Sequence, residues 1–323
     1  MDPSIVKQDA KAMLEGRSFD PRKLALLHTG VMVIFSLLAG LISQLLDHMV
    51  NGTGGLSGVA MRSALESGQA ILSMAISVLT PFWQIGFIFA ALELSNKQEA
   101  APSSLLEGFR RFGPVLRMYL LVTLVFAGVV LACAYLANMI FTFSPMSDKY
   151  FAEGEALLKE NPEITEQMMM QLMPYTTWLF VVFGALLLII GLPLYYRYRM
   201  CEYTLLDGAS GARQAIHQSK LLSLHNRWNI FRFDLSFWWY HLAGILISAI
   251  AYGDQFLKAF KVNLPVSDGV LFWGFYLISL AAQVLFVWRF GAYYHTSCAL
   301  YYRRLKERFL TPITPPPSGT DYE

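Results

Sequence analysis

The densest group of residues that could carry chemistry is the stretch AIHQSKLLSLHNRW, residues 215–228. Its histidines could bind a metal ion, and its serines could act as nucleophiles if a base and an orienting acid lay beside them. His217 and His225, however, are eight residues apart. On a helix that spacing turns them about 80° away from each other, so they cannot form the i, i+4 pair of a helical metal site. Nothing in the sequence brings Asp234 to a serine of this stretch, and we predict no catalytic site and no metal site here.

The apolar residues of the same stretch indicate a different role, at the surface of a membrane. Five of them fall on one side of a continuous helix: Leu221, Leu224, Trp228, Phe231 and Leu235. A helix of this kind lies in the headgroup region with its apolar side towards the acyl chains, and here it would lead into the next span. Basic and aromatic residues beside this stripe suit anionic lipid headgroups. The predicted contact surface consists of Arg227, Trp228, Arg232, Asp234, Trp238 and Trp239.

The composition of the whole chain is typical of a helical membrane protein. Of its 323 residues 55% are hydrophobic and only 15% are charged, whereas a soluble domain carries about 25% charged residues. The apolar residues form blocks of about 20, the length that an α-helix needs to cross the hydrocarbon layer. We therefore predict an all-α, polytopic helical membrane protein. It would form a single transmembrane domain over residues 1–310, followed by a disordered proline-rich tail over 311–323.

About six spans can be drawn from the apolar blocks, and the distribution of basic residues orients them. The spans are predicted at about 24–46, 70–92, 116–141, 175–196, 235–253 and 270–288. Arg289 is expected to mark the membrane interface, with residues 290–304 lying along it or emerging from it. Of the 25 lysines and arginines, 20 fall in the leader, the second and fourth connections and the C-terminal segment. The positive-inside rule places these segments and both termini in the cytoplasm.

A faint internal repeat suggests how the spans are arranged. Gly86, Gly191 and Gly291 recur near the cytoplasmic ends of the even-numbered spans. Polar and amphipathic segments with basic residues follow the first two of these glycines. The pattern predicts three hairpins joined by cytoplasmic amphipathic elbows.

Polar residues within predicted spans are candidates for function because they are costly in hydrocarbon. We predict a possible intramembrane polar site at Gln84, Glu93 and Gln283, which should line one cavity if the protein is a carrier. The alternative for Glu93 is an interfacial pair with Lys97 or an arginine. Asp234 is likewise expected to pair with Arg232 or with an arginine of another connection. Ion-coupled carriers usually place several acids near the membrane midplane, and this sequence has none there.

Two further motifs are expected to be structural. The three cysteines, Cys133, Cys201 and Cys298, lie in or beside apolar blocks without metal-ligand spacing, so we predict buried thiols. Asn161-Pro162-Glu163 resembles a helix start and leads into the methionine-rich run MMMQLM. Flexible apolar packing, rather than metal capture by thioethers, is the expected role of that run.

The run ARQAIHQSKLLSLHNRWNIFRFDLSFWWYHL resembles a stretch of a bacterial family of integral membrane proteins, domain of unknown function 975. Five positions fit the family pattern: Ser219, Arg227, Phe231, Phe237 and Trp239. Ser223 and His225 depart from it, since methionine and glycine are usual there. Four other segments are also similar to the family: KAMLEG, SSLLEGFRRF, IIGLPLYYRYRMCEYTLLDG and YYHTSCALYYRRL. The resemblance covers nearly the whole chain and implies a multi-span fold, with no activity attached.

These features together predict a non-enzymatic scaffold or accessory subunit of the bacterial cytoplasmic (inner) membrane, without a cofactor. Its expected partners are membrane lipids, chiefly anionic, and a membrane protein or a second copy of the chain. The net charge of +2 gives no indication of nucleic-acid binding. The alternative is a permease or channel-like transporter of a small or lipidic solute. An intramembrane hydrolase or transferase ranks last, and it would need Asp234 within hydrogen-bond reach of a histidine or serine.

Overall fold

The structure is a computed structural model that describes residues 2–15, 20–51, 56–160, 166–259 and 267–309. Every regular element within these ranges is helical, which confirms the predicted all-α class. In chain order the helices are α1 (Pro3–Leu14), α2 (Pro21–Asn51), α3 (Leu56–Ser95), the 3-10 helix Pro102–Leu106, α4 (Glu107–Arg110), α5 (Phe112–Thr142), α6 (Pro145–Glu160), α7 (Glu166–Leu186), the π-helical turn Leu187–Gly191, α8 (Leu192–Tyr198), α9 (Cys201–Leu206), α10 (Ala212–Ser223), α11 (Arg227–Leu235), α12 (Trp238–Ile250), α13 (Gly253–Ala259) and α14 (Asp268–Phe309). The predicted helix start at Asn161 and the proline-rich tail lie outside the described residues.

Five helices are long and apolar enough to cross a membrane, or six if α11 and α12 form one bent span. The predicted spans 24–46, 70–92 and 116–141 lie within α2, α3 and α5, and 175–196 runs from α7 through the π-helical turn into α8. This count agrees with the predicted polytopic architecture. The fifth predicted span is not one straight helix, because the chain bends by 56° between α11 and α12.

The last predicted span, 270–288, lies within a much longer helix. α14 runs without a break from Asp268 to Phe309, a total of 42 residues. At 1.5 Å per residue it is about 63 Å long, twice the hydrocarbon thickness of about 30 Å. Part of the helix therefore extends beyond the membrane, and Arg289 lies near the middle of the helix.

The second half of α14 forms the centre of the buried core. Tyr301 and Ala299 are completely buried there, against side chains from α1, α3, α9, α10 and α11. We call the short helices around it the collar: α1, the 3-10 helix, α4, α9, α10 and α11. The collar helices come from the leader and from the second and fourth connections, which the sequence places on one side of the membrane. Asp9 of α1 accepts a hydrogen bond from Arg304 of α14, so the first and last helices meet in the same body.

Two glycines allow the elbow that precedes α5 to contact the backbone of α3 directly. A Cβ atom added at Gly86 would lie 1.8 Å from the carbonyl oxygen of Leu105, and one added at Gly108 would lie 1.9 Å from that of Phe82. The other glycines of the predicted repeat differ, since Gly191 has open space around it and Gly291 faces a side chain of its own helix. The close elbow contact is therefore specific to the first hairpin.

Outside the collar the chain leaves large apolar surfaces uncovered. None of the residues of α12 is buried. In the most apolar 18 residues of α5, 11% of the residues are buried. In the most apolar 18 residues of the segment Leu172–Leu206, none is buried. These faces must contact either acyl chains or the helices of another protein. The three cysteines, in contrast, are buried free thiols, as predicted.

Candidate functional site

A cavity of about 440 Å³ lies where the spans meet the collar. Its walls come from α3, α5, α8, α9 and the second half of α14. The volume falls within the range of about 300–1,000 Å³ that is usual for small-molecule sites. Its polar and charged lining residues are Gln84, Arg199, Glu202 and His295, and its aromatic ones are Tyr119, Phe126, Tyr195, Tyr198, Tyr203 and Tyr294.

Helical spacing explains why these residues face the same cavity. Tyr195, Arg199 and Glu202 follow one another at intervals of four and three residues across the junction of α8 and α9. Residues at such intervals lie on one side of a helical segment. On α5, Tyr119 and Phe126 are seven residues apart, which is two helical turns. Each wall helix thus contributes the residues of one of its sides to the cavity.

One lining residue, Arg199, belongs to a buried ion pair. The Nε atom of Arg199 donates to Oδ2 of Asp234 at 3.3 Å, and its Nη2 atom lies 3.4 Å from the hydroxyl of Tyr294. The side chains of Arg199 and Asp234 are only 14% and 12% exposed. Asp234 therefore pairs with Arg199 at the start of the same connection, whereas Arg232 or an arginine of another connection was predicted. The pair joins α11 to the α8–α9 junction and compensates the charge of Arg199.

The one carboxylate among the lining residues, that of Glu202, has a tyrosine hydroxyl as its partner. The hydroxyl of Tyr119 donates to Oε1 of Glu202 at 2.7 Å. Among the described residues Glu202 forms no ion pair with a lysine or arginine. Its carboxylate is the negative group of the cavity wall, and it lies next to the Tyr119 hydroxyl.

The structure separates the three residues of the predicted intramembrane polar site. Gln84 lines the cavity. Glu93 accepts a hydrogen bond from the hydroxyl of Ser104 in the 3-10 helix at 2.5 Å, instead of pairing with Lys97 or an arginine. Gln283 is exposed on the first half of α14. The arrangement in which all three line one cavity is therefore not observed.

The predicted contact surface for lipid headgroups is partly exposed. Trp228 and Trp238 are largely exposed, as are the leucines of the stripe, Leu221, Leu224 and Leu235. The prediction of a continuous helix is wrong, because α10 ends at Ser223 and α11 begins only at Arg227. The opposite side of both helices packs into the core through residues that include Leu222, Ile230 and Phe233.

The other members of that surface differ in their environment. Arg232 is exposed, whereas Arg227 is half-buried. Trp239 faces inward, with its ring 5.1 Å from that of Phe290 on α14. Within the described residues, no histidine or serine donates a hydrogen bond to Asp234, which is the contact that the hydrolase hypothesis required. His217 and His225 are both exposed.

Lys7 of α1 contacts the bend between α11 and α12. The ammonium group of Lys7 donates to the backbone carbonyl of Ser236 at 2.6 Å and lies 4.1 Å from the ring centre of Phe237. Partial burial lowers the pKa of Lys7, because desolvation disfavours the charged form. The lysine thus holds the N-terminal helix against the entry to α12.

Arg199 and Glu202 were not among the site residues predicted from the sequence. The signal was present in LYYRYRMCEY, where aromatic and charged residues alternate directly after an apolar block. A search for one helical side that combines tyrosines with opposite charges would have selected Tyr195, Arg199 and Glu202. Their partners Tyr119 and Asp234 lie far away in sequence, and no local pattern connects them.

Comparison with known proteins gives a family and no characterised relative. No curated protein and no solved structure matches the chain. The family model described as "Protein of unknown function (DUF975)" matches residues 1–309, in agreement with the resemblance noted in its segments. The chain therefore belongs to the DUF975 family.

Proposed function

We propose that the protein is a non-enzymatic scaffold or accessory subunit of the bacterial cytoplasmic membrane. The observation that supports this proposal most is the contrast between the closely packed collar and the uncovered apolar faces of α5, α7 and α12. A rigid body at one end of loosely packed spans can hold those spans in position for the helices of a partner protein. On α5 the exposed pair Gly128 and Ala132 is spaced by four residues, which permits close helix approach in membranes.

We expect photo-crosslinking from the exposed spans to capture a partner. A diazirine amino acid would be introduced at Leu124, Leu188 or Ile245, which are strongly exposed on α5, the π-helical turn and α12. After irradiation of native membranes, mass spectrometry should identify one membrane protein as an adduct from at least two of these positions. The same amino acid at Leu222, which is fully buried, should give only links within the chain.

Other results of this experiment would count against the scaffold. Lipid adducts alone from all three exposed positions would mean that acyl chains cover these faces. Adducts between two copies of the chain would instead indicate a homo-oligomer. Either result would contradict the proposed role as a subunit that binds a different protein.

In the same proposal the exposed stripe of the collar contacts the lipid surface. A spin label at Leu224→Cys should be more accessible to oxygen than to a water-soluble nickel chelate, because Leu224 lies on the exposed apolar side. A label at Arg213→Cys, which is exposed on the polar part of α10, should show the opposite preference. The three native cysteines are buried and should not react with the label. Equal accessibility of the two labels in power-saturation EPR would rule out this orientation.

A second candidate function is a permease or channel-like transporter of a small or lipidic solute. The cavity favours it, because it lies beside the spans and combines Gln84 with Arg199 and Glu202. Polar groups that line a cavity at the edge of a membrane are typical of solute sites. Transport would require the cavity to open to both sides, so solute flux in proteoliposomes separates this candidate from the scaffold.

A further inference from the structure

We propose that the cavity between α3, α5, α8, α9 and α14 binds a small organic monocation, an amine or a quaternary ammonium compound. This inference goes beyond the proposed scaffold function and does not depend on it. It rests on the charges of the cavity, on its aromatic walls and on its size.

The charges leave the cavity with one negative group. Arg199 is compensated by Asp234 at 3.3 Å, and Gln84 is neutral. Within the described part of the chain, the hydroxyl of Tyr119 is the one side-chain donor to Glu202, at 2.7 Å. A single carboxylate in a partly desolvated site attracts a ligand that carries one positive charge.

The walls supply the second element of cation recognition. Six aromatic side chains line the cavity: Tyr119, Phe126, Tyr195, Tyr198, Tyr203 and Tyr294. The faces of aromatic rings attract ammonium groups, and rings arranged around a cavity are the usual site for quaternary ammonium ligands. Lys220 provides an internal example, because its ammonium lies 5.3 Å from the ring centre of Tyr198. This lysine does not line the cavity itself.

Contacts with the surrounding core fix several of these rings before any ligand binds. Tyr294 stacks on Tyr240 with ring centres 4.3 Å apart, and Tyr203 stacks on Tyr302 at 5.4 Å. The hydroxyl of Tyr119 is held by the carboxylate that would meet the cation. A site that is ordered in advance loses little conformational entropy on binding, and this favours affinity.

The size and the remaining lining residues define the rest of the ligand. A volume of about 440 Å³ exceeds what a bare ammonium group occupies. Ile88, Met118 and Val122 add apolar surface to the wall. The cation is therefore expected to carry an alkyl or aryl group that fills this side of the cavity.

The test is calorimetric titration of the purified full-length protein in a maltoside detergent. Detergents with phosphocholine or amine oxide headgroups would compete for the site and must be avoided. The probes are choline and benzyltrimethylammonium, and 3,3-dimethylbutan-1-ol serves as the neutral isostere of choline. We expect both cations to bind and the neutral alcohol to bind at least about tenfold more weakly, because it lacks the charge that Glu202 attracts.

Glu202→Gln is the matched variant, since its amide oxygen can still accept the hydrogen bond of Tyr119. It should lower the affinity for both cations about tenfold and leave the thermal unfolding midpoint without ligand unchanged. Phe126→Leu keeps an apolar side chain but removes a ring, and it should weaken binding about fivefold. Gln283→Ala, outside the cavity, should have no effect.

Several results would overturn the inference. One is the absence of binding by either cation at millimolar concentration. Another is equally tight binding of the neutral alcohol, which would mean that the cavity selects only for apolar volume. If Glu202→Gln does not fold, the test rests on Phe126→Leu. An unchanged cation affinity in Phe126→Leu would contradict the proposed role of the aromatic rings in cation binding.

Discussion

Replacing Gly86 by alanine is expected to destabilise the protein by about 3 kcal/mol and to reduce the yield of monodisperse protein sharply. The new Cβ atom would overlap the backbone carbonyl of Leu105 at 1.8 Å, and a backbone atom cannot turn away as a side chain can. Overpacking of this kind usually costs about 1–3 kcal/mol and occasionally more. Thermal unfolding and size-exclusion chromatography in detergent would measure the effect. Gly108→Ala tests the same contact from the other side, where the overlap is with Phe82.

The controls for this prediction are glycines in other long helices. Gly128 in α5 and Gly244 in α12 have no atom within 4 Å of the position that a Cβ would occupy. Alanine at these positions should be neutral or slightly stabilising, since it has a higher helix propensity than glycine by up to about 1 kcal/mol. If Gly86→Ala unfolds at the same temperature as Gly128→Ala, the elbow does not depend on the backbone contact.

The membrane spans differ in how closely the sequence predicts their ends. The apolar block at 116–141 predicts both ends of α5 within a few residues, because a helix that crosses hydrocarbon must be continuously apolar. The same rule left the end of α14 open, since residues 290–304 were expected either to lie along the interface or to emerge from it. Tyr301 and Tyr302 look like residues of a membrane interface in sequence, but the collar covers them. Composition alone does not distinguish an apolar stretch that is covered by lipid from one that is covered by protein.

The lining residues of the cavity were harder to predict than the ends of the spans. Spacing along the chain reveals which residues share a helical side, as with Arg199 and Glu202. It does not reveal the partner on another helix. Tyr119 is 83 residues from Glu202, and the ends of α8 and α11 meet only because α9 and α10 fold back between them. Glu93 is an intermediate example, since its partner Ser104 is 11 residues away in the following elbow.

Replacing Asp234 by asparagine is expected to cost about 3 kcal/mol, because it leaves the buried guanidinium of Arg199 without its counter-charge. Removing one partner of a buried pair is much more costly than replacing both. The double variant Arg199→Gln with Asp234→Asn should therefore recover part of the loss, which chemical or thermal unfolding in a double-mutant cycle would measure. As a control, Glu155→Gln breaks the pair of Glu155 with Lys159, whose two side chains are 70% and 75% exposed respectively. This variant should not change the free energy of unfolding measurably. Additive losses in the cycle would mean that Arg199 and Asp234 do not interact energetically.

The same variants also connect stability with the charge of the cavity. In Asp234→Asn the guanidinium of Arg199 remains in the cavity wall without compensation, so it should repel an organic cation and lower its affinity. The double variant removes both charges and leaves Glu202 as before, so cation binding should return even though some stability remains lost. Choline titration of both variants would therefore separate the structural role of the ion pair from its electrostatic role. Recovery of stability without recovery of binding would show that Asp234 does more than compensate Arg199.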